Sequence, residues 1–205
     1  MKFSIYLKQV IHGLMLGDGH LHKKKNTNNN PYYTQTFGQH YELFAKHIFE
    51  TFKDFCTAKG FYSYLVQSGK DSPFYMRYIV RTVSNSEWNF FYNIYYQVNS
   101  LGKTIKIIPS NIEKILTPIV LAYFIMGDGN FHKVHKIIRL CTNSFTKKEV
   151  ELLSAAIFNK FGIKSRLEHV RNNQYILVFP KSQVPFLQEV VKDYMIPSML
   201  YRIGL

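Results

Sequence analysis

The chain has 205 residues, of which 46% are hydrophobic and 16% aromatic, and its 26 lysines and arginines against 13 acids give a formal net charge of +13. This apolar content builds a packed core and excludes a disordered basic tail, while the positive surplus predicts a polyanionic partner, most often nucleic acid. A membrane surface is the rival partner, but the sequence has no long apolar span and no basic helix with a clean apolar face, so no membrane association is expected. Lys8, Gln9 and His12 interrupt what would be a signal peptide, and two cysteines suit a reducing compartment.

The first half of the chain predicts elements in the order helix, two strands, helix, two strands, helix. Helices are expected where apolar residues recur with helical spacing, and strands where aromatic and β-branched runs are bounded by turn residues. The first helix is expected at 4–17 and the first two strands within 20–37. A second helix is expected at 41–55, two further strands at 61–69 and 73–83, and a third helix at 86–98. A connector marked by glycine and proline follows at 101–110.

The second half repeats this order after a helix that ends near Gly129. Two strands are then expected at 131–134 and 136–145, followed by a helix at 147–161. Two further strands are expected at 165–170 and 174–179, and a last helix at 184–194. TQTF at 34–37 matches TNSF at 142–145 with an offset of 108 residues, and IFETF at 48–52 matches IFNKF at 157–161 with an offset of 109. Because the offset is nearly constant, the sequence predicts two copies of one unit with small loop changes.

One apolar stretch occurs in both copies and ends in Gly-Asp-Gly each time. It is IHGLMLGDG at 11–19 and LAYFIMGDG at 121–129, and it places Asp18 and Asp128 110 residues apart. Glycine commonly ends a helix, so both aspartates are expected at helix C-termini, where the helix dipole disfavours negative charge. If the two helices pack side by side, the carboxylates also repel each other. Divalent cations would resolve both problems, so the pair predicts a metal site; two unrelated buried helices with Asp-Gly turns are the alternative.

These stretches resemble the two motifs of a LAGLIDADG homing endonuclease in its single-chain form. Asp18 and Asp128 stand at the eighth motif position, which holds the metal-binding catalytic acid in that family. The third position differs between the copies, being Gly13 in one and Tyr123 in the other. The resemblance extends over nearly the whole chain, because the order of elements in each half is that of the family's half-domain.

The resemblance implies an α+β fold with duplicated αββαββα half-domains related by a pseudo-two-fold axis. Each half-domain would carry a curved antiparallel sheet that binds DNA, and the halves would pack through the two motif helices. The N-terminal half is expected at 1–98, a linker at 99–116 and the C-terminal half at 117–205. Since one chain holds both motifs, a monomer is expected.

The resemblance also implies metal-binding and catalytic residues. The metal ligands would be the carboxylates of Asp18 and Asp128 and the backbone carbonyls of Gly17 and Gly127. Such hard oxygen ligands favour Mg²⁺, with Mn²⁺ expected to substitute and Ca²⁺ expected to bind without supporting cleavage. Further catalytic residues, which would order water or stabilise charge on the phosphate, are Gln35, its repeat mate Asn143, Lys106 and Arg202.

Basic and polar residues in and beside the predicted strands are the expected DNA contacts, since these residue types bind phosphates and base edges. The expected contacts are His20, His22, Lys23, Lys24, Lys25, Tyr33, Arg77, Arg81, His132, Lys133, His135, Lys136, Arg139, Arg166 and Arg171. The histidine pairs in this set are also compatible with zinc, but no cysteine or further histidine completes four ligands.

The resemblance predicts a Mg²⁺-dependent endonuclease that makes a double-strand break at a long, asymmetric DNA site and leaves short 3′ overhangs. One alternative is a maturase of the same fold, which would bind its own intron RNA and assist splicing of a group I intron; another is a non-enzymatic DNA-binding regulator. The presence of both aspartates favours cleavage over these alternatives. Abundant Asn, Lys, Tyr, Phe and Ile indicate an A/T-rich coding genome such as an organelle's, so a mitochondrial location is expected.

Overall fold

The computed structural model describes residues 2–24 and 29–205, so Lys25, one of the expected DNA contacts, lies outside the described residues. The helices are α1 (Ile5–Leu16), α2 (Glu42–Thr51), α3 (Glu87–Tyr95), α4 (Ile112–Ile115), α5 (Pro118–Asp128), α6 (Lys147–Phe161) and α7 (Val184–Val191). The strands are β1 (His20–His22), β2 (Tyr32–Gly38), β3 (Phe61–Gln67), β4 (Phe74–Arg81), β5 (Tyr96–Val98), β6 (Thr104–Lys106), β7 (Gly129–His132), β8 (Ile137–Leu140), β9 (Arg166–Arg171) and β10 (Gln174–Phe179). None of the described helices is long and apolar enough to cross a membrane.

The chain forms two compact units that do not follow the sequence repeat. One unit consists of Asp18–Tyr92, and the other combines the chain up to Gly17 with Asn93–Leu205. The first motif helix, α1, thereby belongs to the same unit as the second motif helix, α5, because the two pack together. The division predicted from the repeat describes the order of elements, and its boundaries remain a prediction.

The unit that holds β1 to β4 is built on a four-stranded antiparallel sheet in the order β1–β2–β4–β3. Along β2, Tyr33, Gln35 and Phe37 are buried while the residues between them are more exposed. The ring of Tyr33 lies 4.9 Å from that of Phe52 and 5.8 Å from that of Trp88, centroid to centroid. This aromatic core covers one face of the sheet, and His20, Thr34 and Arg81 lie on the opposite face.

The other unit contains a second antiparallel sheet, and its order β7–β8–β10–β9 repeats that of the first. Leu140 and Leu177 pair across β8 and β10 and are fully buried on the face that α6 covers. The sequence defines both ends of α6: Thr146 and Glu149 form a capping box at its start, and Gly162 ends it with a φ of 69°. The predicted duplication of the fold is thus confirmed in the order of helices and strands.

The motif helices α1 and α5 pack against each other where α1 has no side chain. A Cβ atom on Gly13 would lie 2.6 Å from the Cβ atom of Tyr123 and 2.6 Å from the carbonyl oxygen of Val120. Beside this contact, the hydroxyl oxygens of Tyr6 and Tyr123 are 2.9 Å apart and share a hydrogen bond. The unequal third motif position therefore brings the helices close, because the glycine of one copy accommodates the tyrosine of the other.

His12 is a partly buried histidine of α1 whose side chain is uncharged. Burial, reinforced by the positive charge of Lys8, lowers the pKa of His12 to about 4. Its Nδ1 atom lies 2.9 Å from the hydroxyl oxygen of Tyr95, and burial raises the pKa of that tyrosine. Both groups are neutral at physiological pH, so α1 and the end of α3 pack without the cost of a buried charge.

The connector between the repeats differs from the prediction. Residues 96–98, expected in a helix, form β5, which pairs with β6 in an antiparallel ribbon with Tyr96 opposite Lys106. The side chain of Asn99 accepts two backbone N–H bonds and Gly102 has a φ of 69°. These are the features of a tight hairpin turn, and the turn ends the helix early.

The strand expected at 136–145 is also shorter in the structure, where β8 ends at Leu140. The chain turns away because Thr142 is buried and its hydroxyl donates to the carbonyl oxygen of Tyr175 at 2.7 Å. A backbone hydrogen bond of 3.1 Å from Phe145 to Thr142 then closes a turn. The residues between them, including Asn143, consequently lie outside the sheet.

We predict that Gly13→Ala destabilises the protein by about 1–3 kcal/mol, because the added methyl group must push two helix backbones apart. The measurement is urea-induced unfolding followed by circular dichroism. Gly127→Ala is the matched control, since Gly127 lies in α5 and a Cβ atom there would meet no neighbour within 4 Å. That substitution should stabilise by roughly 0.5–1 kcal/mol. Equal effects of the two substitutions would contradict the close helix contact.

Candidate active site and nucleic-acid interface

The C-terminal ends of the motif helices meet at the glycine that directly follows α1. Gly17 lies one helix turn after Gly13, and a Cβ atom on Gly17 would collide with Oδ2 of Asp128. Asp128 is the last residue of α5 and is half-buried, while the exposed Asp18 follows Gly17 directly in the chain. Glycine at position 17 is therefore what admits the carboxylate of Asp128 beside the backbone of α1.

Lys106 brings a positive charge to the end of α1. It is half-buried at the end of β6, where the ribbon with β5 holds it, and its Nζ atom donates to the carbonyl oxygen of Gly17. A cation is favourable at this point, because the carbonyls at a helix C-terminus carry partial negative charge. Lys106, which the family resemblance placed among the catalytic residues, thus reaches the end of the first motif.

Arg202 occupies a related position at the end of α5. It lies in a 3₁₀ helix, Pro197–Ile203, and is only 7% exposed. Its Nη1 atom donates to the carbonyl oxygen of Gly129, and its guanidinium carbon lies 5.4 Å from the ring centroid of Tyr201. The two cations are not exact equivalents: Lys106 contacts the residue before the motif aspartate, whereas Arg202 contacts the residue after it.

The motif ends offer ligands that fit a hard divalent cation. The carboxylate of Asp128 adjoins the backbone of Gly17, and both supply the oxygen donors that Mg²⁺ prefers. Within residues 2–24 and 29–205, no group of three or more His, Cys, Asp or Glu side chains is placed to hold a metal.

Gln35 and Asn143 do not occupy equivalent places. Gln35 is 5% exposed within β2 and its Oε1 atom accepts from the hydroxyl of Tyr33, whereas Asn143 is exposed in the turn after β8. The strand pairing shows this directly. His20, two residues after Asp18, pairs with Thr34, and Asn130, two residues after Asp128, pairs with Arg139. The residue of the second sheet that is equivalent to Gln35 is therefore Leu140, which follows Arg139, and not Asn143. The shift arises because the loop between β7 and β8 is shorter than the loop between β1 and β2.

The structure corrects the expectation that Tyr33 contacts DNA. Its side chain has no exposed area and packs against Phe52 and Trp88 on the core side of β2. Its neighbour Tyr32 lies on the opposite face, where the Cζ atom of Arg81 is 4.3 Å from the centre of its ring. Sequence analysis missed Tyr32, although the alternation along β2 would have identified it once the buried face was known.

The polar face of the first sheet, defined by His20, Thr34 and Arg81, carries several of the contacts expected in that unit. The ladder pairs His20 with Thr34 and Thr34 with Arg81, so the three side chains lie on one face across three strands. Arg77 lies on the same face and donates to the hydroxyl of Tyr75 at 3.1 Å. Stacked and hydrogen-bonded in this way, the arginines are held in place for contacts with phosphates or bases.

The last residue of β1 and the two lysines that follow it extend this positive surface. His22 is exposed and its ring lies 5.0 Å from that of Tyr32, centroid to centroid. The Nζ atom of Lys23 lies 5.2 Å from the ring centroid of Tyr92, and Lys24 is exposed. Lys23 and Lys24 thus lie on the surface of their unit.

The polar face of the second sheet carries Asn130, Arg139 and Arg166, which are brought together by the ladder through Val178. Asn130 was not among the expected contacts. The remaining expected contacts of this unit lie at strand ends and hairpin turns and are exposed or half-exposed; they are His132, Lys133, His135, Lys136 and Arg171. Both sheets therefore present basic side chains on the face opposite their helices.

Comparison with known proteins agrees with this architecture. The sequence matches the model of the LAGLIDADG DNA endonuclease family over residues 8–187. The cytochrome b mRNA maturase bI2 of Saccharomyces cerevisiae is 31% identical over 205 residues, which are 98% of this chain and 48% of that protein. The DNA endonuclease I-ChuI of Chlamydomonas applanata is 24% identical over 100% of this chain and 97% of its own. The chain thus spans about half the length of the yeast maturase.

A solved structure shows the same fold. The homing endonuclease I-WcaI, bound to its DNA recognition sequence, superposes with a TM-score of 0.87 at 20% identity, covering 99% of this chain and 88% of that one. Since the family match covers both Gly-Asp-Gly motifs and all strands of both sheets, the chain belongs to the LAGLIDADG DNA endonuclease family.

Proposed function

We propose that the protein is a site-specific endonuclease that makes a double-strand break in DNA at a long, asymmetric site and leaves short 3′ overhangs. The observation that carries the proposal is the constellation at the motif ends. There, the carboxylate of Asp128 adjoins Gly17, and two cationic side chains, Lys106 and Arg202, donate to backbone carbonyls next to the motif aspartates. Oxygen ligands and fixed positive charges are what phosphodiester hydrolysis requires.

In this proposal the metal ligands are Asp18, Asp128 and the carbonyls of Gly17 and Gly127. Mg²⁺ bound there would supply Lewis acidity and lower the pKa of bound water. Mn²⁺ is expected to replace it, whereas Ca²⁺ is expected to bind without supporting cleavage. The exposure of Asp18 and the partial burial of Asp128 suit this role, since one carboxylate is open to solvent and the other is held by α5.

Lys106 and Arg202 would stabilise the negative charge that grows on the scissile phosphates. The high pKa of arginine restricts Arg202 to charge stabilisation, while a lysine can also transfer a proton. Asn143 is exposed and available to order water. Gln35 is buried against Tyr33, so a water-ordering role for it requires the side chain to leave that hydrogen bond.

Double-stranded DNA is the proposed partner, and a monomer is the proposed active form. The endonuclease I-ChuI and the DNA-bound I-WcaI support this partner by their described activities. Each repeat supplies one motif and one sheet, so a single chain holds a complete pair. The polar faces of the two sheets carry different side chains, which favours an asymmetric target over a palindrome.

A maturase that binds its own intron RNA is the second candidate. It is favoured by the 31% identity to the cytochrome b mRNA maturase bI2 of Saccharomyces cerevisiae and by a second maturase of that name in Debaryomyces hansenii, 29% identical over 96% of this chain. Retention of Asp18 and Asp128 favours cleavage. The relatives described as intron-encoded, together with the composition, support a mitochondrial location.

We predict that Asp18→Asn or Asp128→Asn abolishes double-strand cleavage while DNA binding in Ca²⁺ persists, because each change removes a charged metal ligand and leaves the shape intact. The measurements are plasmid cleavage in Mg²⁺ and an electrophoretic shift in Ca²⁺. Asp193→Asn is the control, since Asp193 is an exposed aspartate outside the motifs. Cleavage at the wild-type rate by either motif variant would remove that aspartate from the catalytic role.

Lys106→Met is predicted to slow cutting of one DNA strand, and Arg202→Met that of the other, by on the order of 10²–10³. Because each motif end would serve one strand, nicked plasmid should accumulate before linear product. Strand-specific end labels followed over time measure the two rates. Arg202→Lys should restore much of the lost rate, and Lys114→Met, at an exposed site in α4, should change nothing. Linear product at normal rates without a nicked intermediate would show that these cations are not at the scissile phosphates.

Replacing both Lys23 and Lys24 by alanine should weaken binding across all DNA sequences and flatten its salt dependence. The expected change is roughly 0.9 log units in slope for each lost phosphate contact, because fewer counterions are released. Affinity is measured over a series of salt concentrations. The control replaces Lys148 and Lys160 of α6, which removes the same charge from an exposed helix. Identical slopes for the two double variants would assign Lys23 and Lys24 to solvent.

A further inference from the structure

Glu168 is an exception to the composition of the sheets. Among the described residues, it is the one acidic side chain in β1 to β4 and β7 to β10, although the chain contains 13 acids. It lies in β9 on the polar face of the second sheet, which otherwise carries basic and neutral residues. A carboxylate on a surface that meets a polyanion lowers affinity for every sequence, so its presence there calls for a different explanation.

The two arginines of this face flank Glu168. Arg139 and Arg166 both pair with Val178, one from each neighbouring strand, and Glu168 is two residues from Arg166 on the same face. The Nη2 atom of Arg139 lies 3.7 Å from Oε1 of Glu168, and that of Arg166 lies 4.0 Å from Oε2. Both carboxylate oxygens are thus within reach of a guanidinium group.

Stability does not account for this arrangement. The side chains of Arg139, Glu168 and Arg166 are 36%, 38% and 65% exposed, and ion pairs with such exposure contribute little to folding. The separations of 3.7 and 4.0 Å exceed hydrogen-bonding distance, so these ion pairs leave the oxygens of Glu168 able to accept a hydrogen bond. The arginines reduce the repulsion between this carboxylate and nearby phosphates without occupying its acceptor positions.

We infer that Glu168 determines sequence specificity by accepting a hydrogen bond from the N4 amino group of a cytosine in the major groove. This inference rests on the proposed function. Among the base edges of the major groove, the cytosine amino group is the one that a carboxylate reads best, whereas guanine presents acceptors that repel it. In the first sheet the same ladder position is occupied by Tyr62, because Tyr62 and Glu168 both pair with the equivalent isoleucine of the adjacent strand. The two sheets therefore read their half-sites with different chemistry.

The test is selection of binding sites from a randomised duplex DNA library in Ca²⁺, with the full chain as wild type and as Glu168→Gln. We expect the wild type to require cytosine at one position of one half-site. The variant should lose that preference by roughly ten- to a hundredfold and accept adenine there, because glutamine reads adenine. The matched control is Glu151→Gln on α6, which removes the same charge from a carboxylate that lies 3.7 Å from a lysine. This control should leave every base preference unchanged.

Each other result would overturn the inference in a recognisable way. Uniformly tighter binding by Glu168→Gln, with unchanged base preferences, would show that the carboxylate only offsets positive charge. Loss of a preference for guanine would show that Glu168 acts by positioning Arg139 or Arg166. A wild-type chain that selects no sequence at all would instead refute the proposed function. Thermal unfolding of each variant shows that the comparison is made between folded proteins.

Discussion

The close packing of α1 against α5 is the contact on which the rest of the site depends. Gly13 lacks the side chain that would keep the helix backbones apart, and Gly17, four residues later, leaves room for the carboxylate of Asp128. Gly17 directly follows the last residue of α1 and, like Gly13, faces a residue of α5. The helices therefore stay in contact up to their ends, and Asp128 reaches the backbone of α1. A larger residue at either position would separate the groups that the site requires.

The negative partial charge at the helix C-termini explains why positively charged residues from distant parts of the chain bind there. Helix C-termini carry partial negative charge, and an aspartate adds to it. Lys106 and Arg202 donate to carbonyls at these ends, one from the β5–β6 ribbon and the other from the C-terminal 3₁₀ helix. The connector between the repeats thus supplies one of the two cations of the proposed active site. The same negative potential that attracts these side chains would attract a divalent cation.

The two sheets share their strand order and differ in the chemistry of their polar faces. In the first sheet, Arg81 stacks on Tyr32, which leaves the guanidinium edge available for hydrogen bonds. In the second sheet, arginines lie beside the carboxylate of Glu168. Duplication kept the backbone hydrogen bonds, because these do not depend on side chains, and left the exposed positions free to change.

The sequence by itself determined the order of elements within each repeat, their duplication and the family, because helix and strand periods and a repeated motif are local patterns. It missed the β5–β6 ribbon of the connector. It also identified Asp18 and Asp128 by their place in that motif. It misassigned Tyr33, and the repeat match of Gln35, since the buried face and the ladder register depend on loop lengths and on partners elsewhere in the chain. Only the tertiary structure decided that Lys106 reaches the carbonyl of Gly17 and that the motif helices pack through glycine. Those contacts join residues far apart in the sequence, and their free energy is gained only when the packed core brings them together.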